Sequence, residues 1–264
     1  MRFARVNDVV LHHAVEGPPG APTVVFSNSL GTDFRVWDPL LAHFGRDLRR
    51  VRYDKRGHGL SEARPAPYDI ADHVGDMAAL LDHLGIESAV VVGLSVGGII
   101  AQGLSGLQPE RIAGLVLCDT AHVIGPPEMW DQRIAAIEAG GIEALADAVM
   151  ERWFSAAFRR DRPEELSGWR NMLIRTPAEG YLGTAAAIRD ADMTAQAAAI
   201  GVPTLCVGGS EDGATPPELV GALAGLIPGA RFEVIEGAGH LPCVEAPETL
   251  AGLMKDFFAE AGLA

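Results

Sequence analysis

Three side chains, far apart in the chain, have the types and surroundings that acyl transfer requires. Ser95 is the centre of Gly93-Leu94-Ser95-Val96-Gly97, between the β-branched run Val90-Val91-Val92 and an uncharged apolar run that reads as a helix. A serine at the tip of a sharp strand-to-helix turn projects its hydroxyl above the sheet. Glycines two residues to either side admit a turn in which a Cβ would collide with neighbouring backbone. The helix N-terminus that follows aims unpaired N–H groups and a positive dipole at an oxyanion. A serine that falls in a glycine-rich turn by chance is the plain alternative, and the strand before and helix after favour the chemical one. Asp212 comes just after the strand-like Thr204-Leu205-Cys206-Val207, in Gly208-Gly209-Ser210-Glu211-Asp212. His240 comes just after Phe232-Glu233-Val234-Ile235, in Glu236-Gly237-Ala238-Gly239-His240. The order is Ser, Asp, His, with both partners beyond strand ends, on the sheet edge to which the serine points. His58, the His12-His13 pair and His73 lack that combination, and read as surface or loop packing.

The elements that must position these groups alternate. Strands are expected at 9–11, 23–26, 51–53, 89–92, 112–118, 203–207 and 232–235. Helices are expected at 36–44, at 70–84 (closed by Gly85), at 96–107 (stopped by Pro109), at 217–226 and at 247–259. Such alternation implies a parallel sheet covered on both faces, an α/β fold. Between 121 and 199 the rhythm breaks into consecutive helices, expected at 128–138, 142–154, 163–173 and 178–188. Residues 1–120 and 200–264 are therefore read as one core, and 121–199 as a helical cap over the C-terminal edge of its sheet, where open α/β sheets bind ligands.

Composition excludes several other functions. The 264 residues carry a formal charge of −14, with 48% apolar residues, enough for a sizeable core. That charge argues against a nucleic-acid surface and against a basic membrane-surface helix. An anionic substrate would need a local cation to capture it against the field of the whole chain. Cys118, Cys206 and Cys243 are too few and too scattered for a disulfide framework or a CxxC metal site, and reduced thiols in the cytoplasm are expected. Asn7 and Asp8 interrupt the N-terminus before any signal core can form. The uncharged stretch Ser88–Pro109 is long enough to span a bilayer, yet its glycines and polar residues fit a buried strand turning into a buried helix. No feature decides the oligomeric state.

These residues resemble the α/β-hydrolase family over nearly the whole chain, and within it the 3-oxoadipate enol-lactonases of aromatic catabolism (the β-ketoadipate pathway). The resemblance is carried by Ser27-Asn28-Ser29-Leu30-Gly31-Thr32-Asp33, by Tyr53-Asp54-Lys55-Arg56-Gly57-His58-Gly59-Leu60-Ser61, by Gly93–Gly98 and by Leu117-Cys118-Asp119-Thr120-Ala121. The cap stretches Met129-Trp130-Asp131-Gln132-Arg133-Ile134-Ala135-Ala136 and Thr176-Pro177-Ala178-Glu179-Gly180-Tyr181 are its most discriminating part. The wider family usually has His-Gly where this chain has Asn28-Ser29.

The resemblance implies a mostly parallel eight-stranded sheet and a serine hydrolase. Ser95 would be the nucleophile, His240 the general base, and Asp212 its orienting carboxylate. The backbone N–H groups of Leu30 and Val96 would form the oxyanion hole. Asp119 is a rival acid, because some relatives carry the carboxylate there, and Glu211 adjoins Asp212. The implied substrate is a small anionic lactone, with no metal or organic cofactor required. Arg133, one helical turn from Trp130, would fork its carboxylate while the indole covers the ring, as against a solvated cap residue beside a packing tryptophan. Arg175 and Arg189 compete as clamps; Arg56 and Cys243 read as structural. A general carboxylesterase, a carbon–carbon bond hydrolase and a non-catalytic ligand-binding fold are the other functions compatible with the pattern.

Overall fold

β-Branched and aliphatic runs build the middle of the molecule, because strands buried on both faces need no polar alternation. The computed structural model describes residues 2–263, so Met1 and Ala264, the ends of the expected core segments, lie outside the described residues. Eight strands form one sheet: β1 (Arg2–Val6), β2 (Val9–Glu16), β3 (Thr23–Ser27), β4 (Arg49–Tyr53), β5 (Ala89–Leu94), β6 (Ile112–Cys118), β7 (Thr204–Gly209) and β8 (Arg231–Ile235). Their order is β1-β2-β4-β3-β5-β6-β7-β8. Only β2 runs antiparallel to its neighbours; every other pair is parallel. All six residues of β5 are buried, as are all six of β7.

β1 was not expected from the sequence. In Arg2-Phe3-Ala4-Arg5-Val6 only Ala4 and Val6 face inward, which suits an edge strand with one solvated face. The helix expected at 36–44 is a 3-10 turn, Phe34–Trp37, running into the single turn α1 (Asp38–Leu41). Helix α2 (Ile70–His83) starts with a capping box in which Asp69 and Asp72 satisfy each other's backbone N–H. Helix α3 (Val96–Leu107) packs against α2, β3, β5 and β6. Ser88–Pro109 thus divides between β5 and α3, and among the described residues no helix is long and apolar enough to cross a membrane.

Between β6 and β7 the chain is helical. Its elements are α4 (Pro127–Gly140), a 3-10 turn Ile142–Leu145, α5 (Ala146–Trp153), α6 (Ala156–Asp161), α7 (Pro163–Ile174), α8 (Ala178–Asp190) and α9 (Thr194–Ala198). The expected helix 142–154 is therefore shared between a 3-10 turn and α5, and the short α6 and α9 add to the expected set. The core resumes with α10 (Pro217–Leu226), α11 (Pro242–Glu245) and α12 (Pro247–Ala261).

Candidate active site

The turn from β5 into α3 holds Ser95 at φ 58° and ψ −121°, a strained backbone conformation for a residue with a side chain. Two close approaches explain the flanking glycines. A Cβ at Gly93 would lie 2.4 Å from the Gly97 carbonyl oxygen, and one at Gly97 would lie 2.0 Å from the Ser27 carbonyl oxygen. The turn is tied to the next strand by the Ser95 N–H donating to the Cys118 carbonyl (3.0 Å), and by the Thr120 hydroxyl donating to the Ser95 carbonyl (2.7 Å).

Loops beyond β7 and β8 bring a carboxylate and an imidazole to the same edge. His240 Nδ1 is 2.8 Å from Asp212 Oδ2, with both side chains buried. The second Asp212 oxygen accepts from the N–H groups of Ala214 (2.7 Å) and Thr215 (3.1 Å). The Thr215 hydroxyl lies 2.6 Å from Asp212 Oδ2 and 3.2 Å from His240 Nδ1. Burial alone would raise the Asp212 carboxyl, but the imidazole, the Thr215 hydroxyl and the Ala214 N–H outweigh it and hold the group at about 2. Asp212 is thus a fixed anion against the imidazole. Glu211 instead accepts from the Ala156 N–H.

Asp119, at φ 45°, is equally buried but differently placed. One oxygen accepts from the Gly209 N–H (2.8 Å), and the other has no partner among the described residues. Burial and the adjacent Asp212 charge push its carboxyl well above the usual range, the opposite direction to Asp212. Ligand-type atoms of Asp119, Asp212 and His240 lie within 4.8 Å of one another. An ion bound to both would have to displace the 2.8 Å hydrogen bond between His240 Nδ1 and Asp212.

A narrow cavity joins these groups. Its floor includes Ser29, Leu30, Ser95, Thr215 and His240, and its roof, from the helical segment, includes Trp130, Arg133, Arg152, Trp153 and Tyr181. The hydroxyl within hydrogen-bond range of His240 Nε2 is that of Ser29, at 3.4 Å. Ser95 lines the same cavity without bonding the imidazole, a separation that apo active sites commonly close when substrate binds. The N–H groups of Leu30 and Val96 donate to no other group among the described residues, whereas the next amide, Gly31, donates to His58 Nε2 (3.0 Å).

Trp130 is buried, donates its indole N–H to the Ile124 carbonyl (2.6 Å) and lies under the Arg133 guanidinium, 5.1 Å from the ring centroid. Arg152 was missed in the sequence. Its Nε donates to the Gly213 carbonyl (3.2 Å), beside Asp212, and it faces the cavity with Arg133. Burial and the charge of Arg133 lower its pKa. Among the described residues neither guanidinium pairs with a carboxylate. Of the competing clamps, Arg175 is exposed in a separate, wider groove, and Arg189 pairs with Asp131 and Asp190.

The loop Asp54–Gly59 underlies the site. Arg56 pairs with Asp76 through Nε (2.6 Å) and Nη2 (2.7 Å), a structural role. The surface alternative for the remaining histidines is overturned, since His12, His13, His58 and His73 are all buried. Cys243 is buried too.

Residues 9–253 match the family model described as the alpha/beta hydrolase family. The chain is 35% identical over 255 residues to 3-oxoadipate enol-lactonase 2 of Acinetobacter baylyi, covering 95% of each chain. It is 35% identical to 3-oxoadipate enol-lactonase 1 of the same organism, covering 92% of this chain and 91% of that one. A crystal structure of the enol-lactonase from Burkholderia xenovorans superposes with a TM-score of 0.95 at 38% identity, covering 98% of this chain and all of that one.

Proposed function

The chain belongs to the alpha/beta hydrolase family, and from that premise we propose that it is a serine hydrolase that opens the ring of 3-oxoadipate enol-lactone to give 3-oxoadipate in aromatic catabolism. The observation that carries this reading is the cavity itself. Ser95 and His240 share it with an indole face and two guanidiniums that lack a carboxylate partner, a setting suited to a small flat ester bearing one negative charge. The helical segment 121–199 is read as its cap.

In this mechanism Ser95 Oγ attacks the lactone carbonyl while His240 Nε2 takes its proton. Asp212 holds the imidazole by Nδ1–H and stabilises its charged form. The Leu30 and Val96 N–H groups hold the oxyanion, each such donor contributing about 3 kcal/mol to the barrier reduction. The carbonyl then re-forms, the ring C–O bond breaks, and the enol oxygen leaves with the proton from His240. Nothing departs, because that oxygen remains tethered to the acyl group. Tautomerisation of the enol to the ketone prevents reclosure. His240 next removes a proton from water, whose oxygen attacks the acyl-enzyme and frees the product with Ser95 restored.

The test is the loss of the enol-lactone's ultraviolet absorbance with purified protein, compared with a correctly folded Ser95→Ala variant. Turnover far above the variant's is expected; equal rates would reject the reading.

A further inference from the structure

Lys55 is a fully buried lysine directly beneath the cavity floor. Its Nζ donates to the carbonyl oxygen of Ser29 at 2.5 Å. That oxygen also accepts from the Thr32 hydroxyl (2.8 Å) and the Thr32 N–H (3.3 Å). The Ser29 carbonyl and the Leu30 N–H belong to one peptide unit, which is trans, so they point in opposite directions within one plane. Whatever fixes the oxygen downward therefore aims the N–H upward. His58 of the same loop takes the following Gly31 N–H, leaving that of Leu30 free.

We propose that Lys55 is a positioning residue for the oxyanion hole: its ammonium group anchors the Ser29 carbonyl, turns the Leu30 N–H to the cavity and polarises that amide into a stronger donor. A cation on the carbonyl oxygen draws electron density from the amide nitrogen, and hydrogen-bonded groups in series strengthen one another. This rests on the reading of Leu30 as an oxyanion donor. It also accounts for a charged residue kept where desolvation penalises charge. Burial lowers the Lys55 ammonium to about 7 against the opposing pull of Asp54 and Asp33, while His58 and His73, the imidazoles close to it, are held neutral by burial and by its charge.

The test compares Lys55→Met, which removes donor and charge, with Lys55→Gln, which retains a donor. A third protein has the Ser29–Leu30 amide replaced by an ester, which deletes the Leu30 N–H. Lys55→Met should lower kcat on the enol-lactone about 10-fold or more with KM within about 2-fold, Lys55→Gln should recover most of that loss, and the ester should lose about 100-fold in kcat. If the ester loses kcat while Lys55→Met does not, the proposal falls and the Leu30 reading stands. If the ester keeps kcat, that reading falls, and the proposal with it. If Lys55→Gln is no better than Lys55→Met, anchoring by hydrogen bond is overturned. A measurement on the wild-type protein needs no substitution: the Ser29 carbonyl 13C shift should follow the titration of the Lys55 Nζ 15N resonance. A Ser29 shift indifferent to that titration would also overturn the proposal.

Discussion

His240 Nδ1 and Asp212 Oδ2 lie 2.8 Å apart, and a second carboxyl, Asp119, is buried within 4.8 Å of that pair without bonding the imidazole. The two carboxyls are shifted in opposite directions. Asp212 is held at about 2 by the groups that surround it, whereas burial beside that anion pushes the Asp119 carboxyl well above the usual range. Replacing the acid that holds the imidazole by its amide removes a charge and inverts the imidazole's tautomer; Asp119 binds the Gly209 N–H and not the imidazole, so its amide leaves that tautomer alone. Asp212→Asn should therefore lower kcat by about 10⁴-fold, and Asp119→Asn by no more than a few-fold. Steady-state kinetics of the two folded variants decide it, and a larger loss in Asp119→Asn would reverse the assignment.

Arg133 and Arg152 face one cavity without carboxylate partners among the described residues. Two guanidiniums held close repel each other until an anion comes between them, which lowers the cost of binding a carboxylate. Arg133→Ala and Arg152→Ala should each raise KM for the anionic lactone about 10-fold, the loss expected of one charge-assisted hydrogen bond. KM for a neutral ester of similar size should change little. Arg152→Ala should also lower kcat, because its Nε braces the Gly213 carbonyl beside Asp212. Equal effects on charged and neutral substrates would remove both residues from the clamp.

Lys55 links the site to stability. An unfolded lysine titrates near 10.4, and burial brings this one to about 7 in the folded protein. Below pH 7 both states hold the proton and the full desolvation penalty applies. Between about pH 7 and 10 the unfolded chain binds the extra proton, so rising pH relieves that penalty. Lys55→Met, which carries no such penalty, should have a higher Tm than wild type at pH 6, with a margin that shrinks towards pH 10. A margin independent of pH, measured by calorimetry, would contradict this.

The elements that carry Ser95, Asp212 and His240 were legible because each sits where a continuous apolar strand gives way to glycine-bearing loop or helix, a local signal. What was not legible depended on tertiary placement. β1 is an edge strand whose two arginines, Arg2 and Arg5, mask it. Arg152 lies in Glu151-Arg152-Trp153, indistinguishable in sequence from any solvated helix end, and only the packing of α5 turns it to the cavity. Thr215 and Ser29 touch His240 from loops 25 and 211 residues away along the chain. The sequence left surface and loop packing open for the histidines, because the partners of His12 (Asp54) and of His58 (the Gly31 N–H) lie far from them along the chain.

Rapid-quench mass spectrometry of the wild-type protein mixed with enol-lactone tests the central chemistry most directly. Because ring opening releases no leaving group, the acyl-enzyme must be heavier than free protein by the mass of the entire lactone, with the added mass on the peptide that contains Ser95. That adduct should form and decay within turnover, and Ser95→Ala should not form it. Turnover with no covalent species at the earliest times, or an adduct carried by another residue, would contradict nucleophilic catalysis by Ser95.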